Sequence, residues 1–340
     1  MMKVLITGVP GWLGNRFLEI LTEGFEEEGS SLPWQLRCLV LQDVKYSSFE
    51  RLRKYKPIEF MTGDITKKGT LKTALTGVDV IFHLAGIIHP KKIQDLYDIN
   101  TLGTENLLSV AVEMGVKRFI HISSNSVAGT NVHANVLMKE SDVPRPYMHY
   151  GSSKYKAENL VNAFGRAGKI ETVIFRPCWF YGPAQPERQT IFFRMIKKGN
   201  PIVFGDGENI RSMSYVDNTC EALLLAAESS VAVGKTYWIA DEKPYRTIEI
   251  YETIADLLGV TQFKPRYLPD FSSEVFFQVD KILQGLGLYI KEVHVAGEMN
   301  KNIACSVDKA KQELGYTPRV SLREGMQRSI EWCKRNGIAI

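Results

Sequence analysis

A doubly wound α/β fold, a parallel sheet with helices on both faces and a smaller lobe over its mouth, is predicted by two observations. Short runs rich in Val, Ile and Leu alternate with longer helical patterns through the first half of the chain. Continuous apolar strands of this kind belong in a parallel sheet buried on both sides. The first of these runs leads straight into a glycine turn, Thr7-Gly8-Val9-Pro10-Gly11-Trp12-Leu13-Gly14. In such a turn Gly8 permits the tight reversal, Gly11 lets backbone N–H groups approach a pyrophosphate, and Gly14 lets the next helix pack on the strand. That helix, beginning near Trp12, directs the positive end of its dipole at the phosphates.

In chain order the predicted strands are Lys3–Thr7, Gln35–Leu41, Ile58–Thr62, Val78–Leu84, Arg118–Ser123 and Glu171–Arg176. The polar segment Phe25–Pro33 reads as a surface loop before the second strand. Between Asn100 and Gly115, Leu102, Leu107, Leu108, Ala111 and Val112 fall near one helix face, the expected buried side. After residue 177 Pro, Gly and aromatic residues become denser, in Phe180-Tyr181-Gly182-Pro183 and Val203-Phe204-Gly205-Asp206-Gly207, which reads as the smaller lobe. Lys235–Ala240 reads as a strand returning to the main sheet. The expected division is a dinucleotide-binding domain over 1–177 with return segments at about 212–240, and a substrate lobe over 178–211 and 241–340.

Composition narrows the function classes. The 340 residues hold 42 Lys plus Arg against 38 Asp plus Glu, a net charge of +4 that suits an anionic small ligand and falls short of a nucleic-acid footprint. Cys38, Cys178, Cys220, Cys305 and Cys333 are scattered and odd in number, and the six histidines form no ligand spacing, so neither a disulfide framework nor a metal site is expected. The first strand begins at residue 3, leaving no room for a secretory signal, and no apolar run approaches the ~20 residues of a membrane span. A cytoplasmic location is expected.

Chemistry concentrates in Tyr150-Gly151-Ser152-Ser153-Lys154 at the start of a predicted helix, preceded by Ser123-Ser124 at the end of a predicted strand. Residues four apart share a helix face. There an ammonium lowers a phenol pKa from about 10, so that the phenolate can take a proton from a substrate hydroxyl near neutral pH. A serine hydroxyl beside it holds the substrate oxygen and steadies its developing charge. Tyr-x-x-x-Lys arises often by chance, as an exposed tyrosine beside a solvated lysine. Its position after the glycine turn, at the strand ends of an open α/β sheet, favours the catalytic reading.

With these motifs the chain resembles the extended short-chain dehydrogenase/reductases, which include nucleotide-sugar epimerases and dehydratases and hydroxysteroid or dihydroflavonol-type reductases. The resemblance runs nearly end to end, through Thr7–Gly14, Gly63-Asp64-Ile65, His83-Leu84-Ala85-Gly86, Asn100–Asn106, Ser123–Gly129, Tyr150–Lys154, Arg176-Pro177, Tyr181–Pro183, Gly205–Gly207, Arg211 and Tyr215–Asn218. It implies a Rossmann-type sheet and a catalytic set of Ser124, Tyr150 and Lys154, with Asn100 supporting the lysine. It implies a cofactor site of Thr7, Gly8, Gly11, Trp12, Leu13, Gly14, Asp64, Ile65, Leu84, Ala85, Gly86, Ser123, Tyr150, Lys154 and Pro177, and a substrate site of Ser124, Ser126, Tyr150, Trp179 and Arg211. The implied chemistry is hydride transfer to and from a nicotinamide coupled to proton transfer through Tyr150. The implied assembly is a homodimer through the helix after Asn100 and the helix carrying Tyr150.

Substrate and cofactor are less sharply drawn. Arg211 stands where nucleotide-sugar enzymes of this group place an arginine on the diphosphate, and a lobe-surface salt bridge is the equal alternative. Trp179 stands where many of them carry asparagine, and a second arginine is replaced by Glu298-Met299-Asn300-Lys301, in which Lys301 offers a looser point charge. Ser124-Asn125-Ser126 lacks the Thr-Asp-Glu of the sugar dehydratases, and Val127-Ala128-Gly129 resembles the hydroxysteroid branch. That branch often carries apolar helices near its C-terminal end. Val275, Phe276, Val279, Ile282, Leu283 and Leu286 form one apolar helix face, expected to be core of the small lobe, with a membrane-surface helix or a lid over a hydrophobic substrate as alternatives. The second strand ends Val40-Leu41-Gln42-Asp43, where Asp43 would favour NAD and Lys45 or Arg51 would meet the 2′-phosphate of NADP. The reading leans to NAD with NADP open. The histidines read as packing or turn residues, with His149 beside the pocket. The leading expectation is 4-epimerisation of a nucleotide sugar through a transient ketone. Its rivals are a reductase or dehydrogenase of a hydrophobic ketone or alcohol and a non-catalytic dinucleotide sensor.

Overall fold

The computed structural model describes residues 1–24, 34–43, 57–134 and 136–340. The expected loop Phe25–Pro33 and the cofactor candidates Lys45 and Arg51 lie outside them. In chain order the strands are β1 Lys3–Thr7, β2 Gln35–Val40, β3 Ile58–Thr62, β4 Val80–His83, β5 Arg118–Ile122, β6 Glu171–Pro177, β7 Trp179–Tyr181, β8 Ile202–Phe204, β9 Ile210–Arg211, β10 Met213–Tyr215, β11 Lys235–Ile239, β12 Tyr245–Arg246 and β13 Arg266–Leu268. The helices are α1 Trp12–Glu23, α2 Lys72–Leu75, α3 Ile93–Leu96, α4 Gly103–Glu113, α5 Met148–Arg166, α6 Glu187–Lys197, α7 Val216–Glu228, α8 Thr247–Leu257, α9 Phe271–Gly285, α10 Lys291–Glu298, α11 Asp308–Leu314 and α12 Leu322–Arg335.

Among the described residues seven parallel strands form the main sheet, in the order β11-β6-β5-β4-β1-β2-β3. The alternation of side chains along β1 builds both of its cores. Val4 and Ile6 join one apolar cluster with Phe17 and Leu21 of α1 and Leu223 of α7, while Leu5 joins another with Leu107 and Leu108 of α4 and Val161 of α5. Strand order reverses between β1 and β4, the crevice where open α/β sheets bind ligands at their strand C-termini. The return of Lys235–Ile239 beside β6, in register from Lys235↔Val173 to Ile239↔Pro177, places the strand before the last lobe segment inside this sheet. A third core, around Phe193, Val203, Tyr215, Tyr251 and Met326, supports the lobe of β7–β10, α6, α8 and α12.

Two apolar faces read from the sequence are corrected. Leu102 is 43% exposed, because a π-helical turn over Tyr97–Leu102 precedes α4 and the inward positions go to Asn100, Gly103 and Thr104. Gly103 lies against Ile65, where a Cβ would come within 2.8 Å of that side chain. The face of α9 expected to be core points outward instead: Val275, Phe276, Val279, Ile282 and Leu286 are all exposed, and the buried residues are Ser273, Asp280 and Gln284. Most of these polar groups bond inside the hairpin, while among the described residues Asp280 Oδ1 has no partner. Asp280 Oδ2 accepts from Gln284 (2.8 Å) and pairs with His294 Nδ1 of α10 (2.8 Å), and Ser273 donates to the Ala296 carbonyl (2.8 Å). Lys301, read as a looser point charge in place of a second arginine, is paired with Glu274 of α9 at 2.7 Å.

Candidate active site

The glycine turn is shaped by what surrounds it. Gly8 has φ +84°, and a Cβ on it would meet the Leu84 carbonyl carbon at 2.6 Å and the Ala85 nitrogen at 2.7 Å. A Cβ on Gly11 or Gly14 would come within 2.6 or 2.5 Å of the Gly8 oxygen. Leaving these positions bare lets β1, α1 and the segment after β4 converge on a cradle that a phosphate can enter. Leu13 opens α1 behind Trp12, whose indole donates to the Pro183 carbonyl (2.7 Å) and meets the Phe180 ring edge-on, so its side chain ties α1 to the lobe. Asp64 and Ile65 follow β3. The Asp64 carboxylate accepts from the backbone and hydroxyl of Thr66, and Ile65 packs beneath Gly103. Leu84, Ala85 and Gly86 follow β4, Ser123 follows β5 with its N–H on the Phe175 carbonyl (2.7 Å), and Pro177 closes β6. The expected cofactor residues thus line the C-terminal edge of the sheet.

Helix α5 carries Tyr150 and Lys154 across the same edge. Lys154 is 4% exposed and its Nζ donates to the Ile122 carbonyl (2.6 Å), two residues from Ser124. Burial pulls its pKa down to about 8, opposed by the Glu158 carboxylate. The Ser124 hydroxyl accepts from the Ser126 N–H (3.2 Å) and can donate to Asn125 (3.3 Å) or Ser126 (3.4 Å). The serine turn and the helix start are clamped together: the Tyr147 N–H donates to the Ser126 carbonyl (2.7 Å), and a Cβ on Gly151 would overlap that oxygen. Asn100 bonds the Ile87 backbone in both directions (2.9 and 3.0 Å) and donates to Ser153 (3.1 Å). It fixes the Gly86 segment against α5 beside Lys154.

Sequence reasoning missed the layer beneath. The Ala85 N–H donates to Thr7 Oγ1, which pairs with His83 Nδ1 (2.8 Å), and His83 Nε2 pairs with Thr104 Oγ1 (2.9 Å). Thr104 spends its proton on the Asn100 carbonyl (2.7 Å), so His83 donates through Nε2 and accepts at Nδ1. Burial, then the Lys154 charge, lowers His83 to about 3 and holds His121, stacked on it at 5.3 Å, well below its usual value. Both stay neutral under Lys154. Adjacent histidines at the ends of two strand-like runs were the available signal.

On the lobe side Arg211 is buried, which excludes the surface salt bridge. Its Nη2 donates to the Glu298 carbonyl, its guanidinium lies 5.6 Å from the Trp179 ring centre, and among the described residues its Nε has no partner. The Tyr147 and Tyr251 hydroxyls are likewise buried without partners among the described residues. Arg211 is among the charges acting on both: burial raises Tyr251 to about 12 and raises Tyr147 too, with Arg211 opposing in each case. Trp179 is held by Gln189 (3.2 Å). His149 turns away from this group, its ring bonded to the Tyr97 hydroxyl (2.8 Å). Among the described residues no cluster of His, Cys, Asp and Glu could hold a metal.

The sequence profile of the 3-beta hydroxysteroid dehydrogenase/isomerase family matches residues 5–269. The chain is 42% identical to an uncharacterized protein, y4nL, of Sinorhizobium fredii, covering 98% of this chain and 96% of that one. It is 25% identical to the UDP-glucose 4-epimerase of Vibrio cholerae, over 97% and 94% of the two chains. Among solved structures, a double mutant of the dTDP-glucose 4,6-dehydratase DesIV from Streptomyces venezuelae, with NAD and DAU bound, superposes with a TM-score of 0.77 at 26% identity, over 98% of each chain. The chain therefore belongs to the 3-beta hydroxysteroid dehydrogenase/isomerase family, within the extended short-chain dehydrogenase/reductases whose members include NAD-dependent epimerases and dehydratases.

Proposed function

We propose that this protein is an NAD-dependent enzyme that oxidises a secondary alcohol on a nucleotide-activated sugar and re-forms it with inverted configuration, a 4-epimerase. The Gly8, Gly11 and Gly14 cradle fits a dinucleotide pyrophosphate, and NAD supplies reversible hydride acceptance when bound. Tyr150 takes the proton from the substrate hydroxyl and later returns it, Ser124 holds that oxygen, and the charged Lys154 stabilises the phenolate. Asn100 and the His83 chain keep Gly86 and α5 in place around them. Epimerisation asks in addition that the keto sugar turn over while its nucleotide stays held. We assign that hold to Arg211, and a homodimer through α4 and α5 is part of the same reading.

The observation that carries the substrate class is the buried set of Arg211 Nε and the Tyr147 and Tyr251 hydroxyls, unpartnered among the described residues. An unmet buried polar group costs about 1–3 kcal/mol, so three together favour an anionic ligand that accepts from them. The test is to purify the protein without added ligand, denature it and identify any released nucleotide by mass spectrometry. Bound NAD with a co-released nucleotide sugar supports the epimerase. Arg211→Ala should then weaken UDP or dTDP binding by roughly tenfold or more, as loss of a charge-assisted donor predicts, with NAD affinity unchanged. A second reading, reduction of a hydrophobic ketone with cofactor exchange, is favoured by the Trp179 indole beside Arg211, where many sugar enzymes carry asparagine. An empty site filled reversibly by added NADH or NADPH, with no response of UDP binding to Arg211→Ala, supports that one.

A further inference from the structure

The inner side of the α9–α10 hairpin reaches the main domain at two places around Tyr150 and Lys154. At the start of α5, Gln284 Oε1 accepts the His149 N–H (3.4 Å), and the Tyr147 ring lies 5.6 Å from the rings of Phe277 and His294. On the segment leaving β4, the Tyr289 hydroxyl, in the turn between α9 and α10, bonds His89 Nδ1 at 2.7 Å. The residues of this second contact are 200 positions apart in the chain.

Fixed backbone ties His89 to the catalytic groups. Three residues before it Gly86 passes Lys154, where a Cβ would come within 3.8 Å of Nζ, and Ile87 is bonded in both directions by Asn100 (2.9 and 3.0 Å). Tyr289 is backed by the His294 ring at 5.5 Å, which Asp280 fixes in turn (2.8 Å). His89, Tyr150 and Tyr289 are all half-buried, as side chains bordering a cleft are. Burial, then Glu298, Asp280, Glu292 and Tyr150, raise the pKa of Tyr289. It therefore stays a phenol, and Tyr150 is near enough to act on it.

The length of the bond assigns its proton. A separation of 2.7 Å is that of an O–H donor, whereas an N–H donor keeps about 2.9–3.0 Å. Tyr289 gives its one proton to His89 Nδ1, and toward a ligand its oxygen can only accept. The ligand group that suits it is a hydroxyl. We propose that Tyr289 is a specificity-determining residue whose oxygen accepts from the substrate hydroxyl beside the carbon that is oxidised. The assignment rests on the 4-epimerase reading, in which that neighbour is the C3 hydroxyl, because C5 carries a carbon branch. A site built to bond a hydroxyl discriminates against the analogue that lacks it. A hydrophobic ketone with a methylene there would gain nothing from Tyr289.

The experiment is calorimetric titration of the NADH-loaded enzyme, which binds a sugar alcohol without turning it over, with UDP, UDP-glucose and UDP-3-deoxyglucose. The unaltered enzyme should hold UDP-glucose more tightly than the deoxy analogue. Tyr289→Phe keeps the ring and should weaken UDP-glucose roughly tenfold, while UDP, the deoxy analogue and NADH bind both forms alike. Equal weakening of UDP-glucose and the analogue would make Tyr289 a packing residue and overturn the assignment. So would UDP-glucose binding that the substitution leaves unchanged, or an unaltered enzyme that does not distinguish the two sugars. In each of these cases binding of UDP leaves the nucleotide-sugar reading standing. No binding of UDP or UDP-glucose by the unaltered enzyme overturns that reading and this assignment with it.

Discussion

Replacing Lys154 by methionine should make the ligand-free protein more stable near neutral pH while abolishing turnover. Burial lowers this lysine from 10.5 to about 8, so keeping it charged costs on the order of 3 kcal/mol at pH 7. Methionine removes that cost and fills similar volume, but it leaves the Ile122 carbonyl without its donor, a loss of about 1–3 kcal/mol. The balance is a gain of roughly 0–2 kcal/mol. The pH dependence separates this explanation from simple repacking. Below pH 8 Lys154 is charged in both folded and unfolded chains and the full cost is present. Between about 8 and 10.5 the folded chain releases the proton before the unfolded chain does, so the stability of the unaltered protein rises with pH by about 1.4 kcal/mol per unit from this group. The advantage of Lys154→Met should therefore shrink across that window. Urea unfolding of both proteins over this range, without NAD, measures it. A variant less stable at pH 7, or a stability gap that does not change with pH, would refute the reasoning. Because the lysine must be charged to stabilise the phenolate, turnover of the unaltered enzyme should also decline above about pH 8.

Tyr150→Phe should leave NAD affinity within about twofold and lower turnover by roughly 10²–10⁴, the contribution of a positioned general base, as single-turnover kinetics would measure. Gly14→Ala puts a Cβ 2.5 Å from the Gly8 oxygen and 2.9 Å from its carbon. These are backbone atoms that yield only by moving the turn, so the variant should lose about 1–3 kcal/mol of stability and at least tenfold in NAD affinity by titration. Glu158 and Arg176 form a buried pair at 2.6 Å that fastens α5 to β6. Glu158→Ala should cost about 3–5 kcal/mol in urea unfolding by stranding the guanidinium, and adding Arg176→Met should restore part of it.

The strands of the main sheet, the glycine turn and the placement of Tyr150 and Lys154 on one helix were legible in the chain itself. Each rests on local rules: buried parallel strands must be continuously apolar, a phosphate turn needs glycine where a Cβ would strike backbone, and a spacing of four sets two side chains on one helix face. Other features depended on groups far apart in sequence. Whether Arg211 met water or the interior was decided by Glu298 and Trp179 closing around it. The neutrality of His83 and His121 was decided by burial under Lys154, which no spacing encodes. The clearest divergence is α9. Its sequence shows an apolar face and a polar face, but periodicity carries no sign saying which one turns inward. That choice was made by Asp280, Gln284 and His294, which bond one another only once α10 is folded against them.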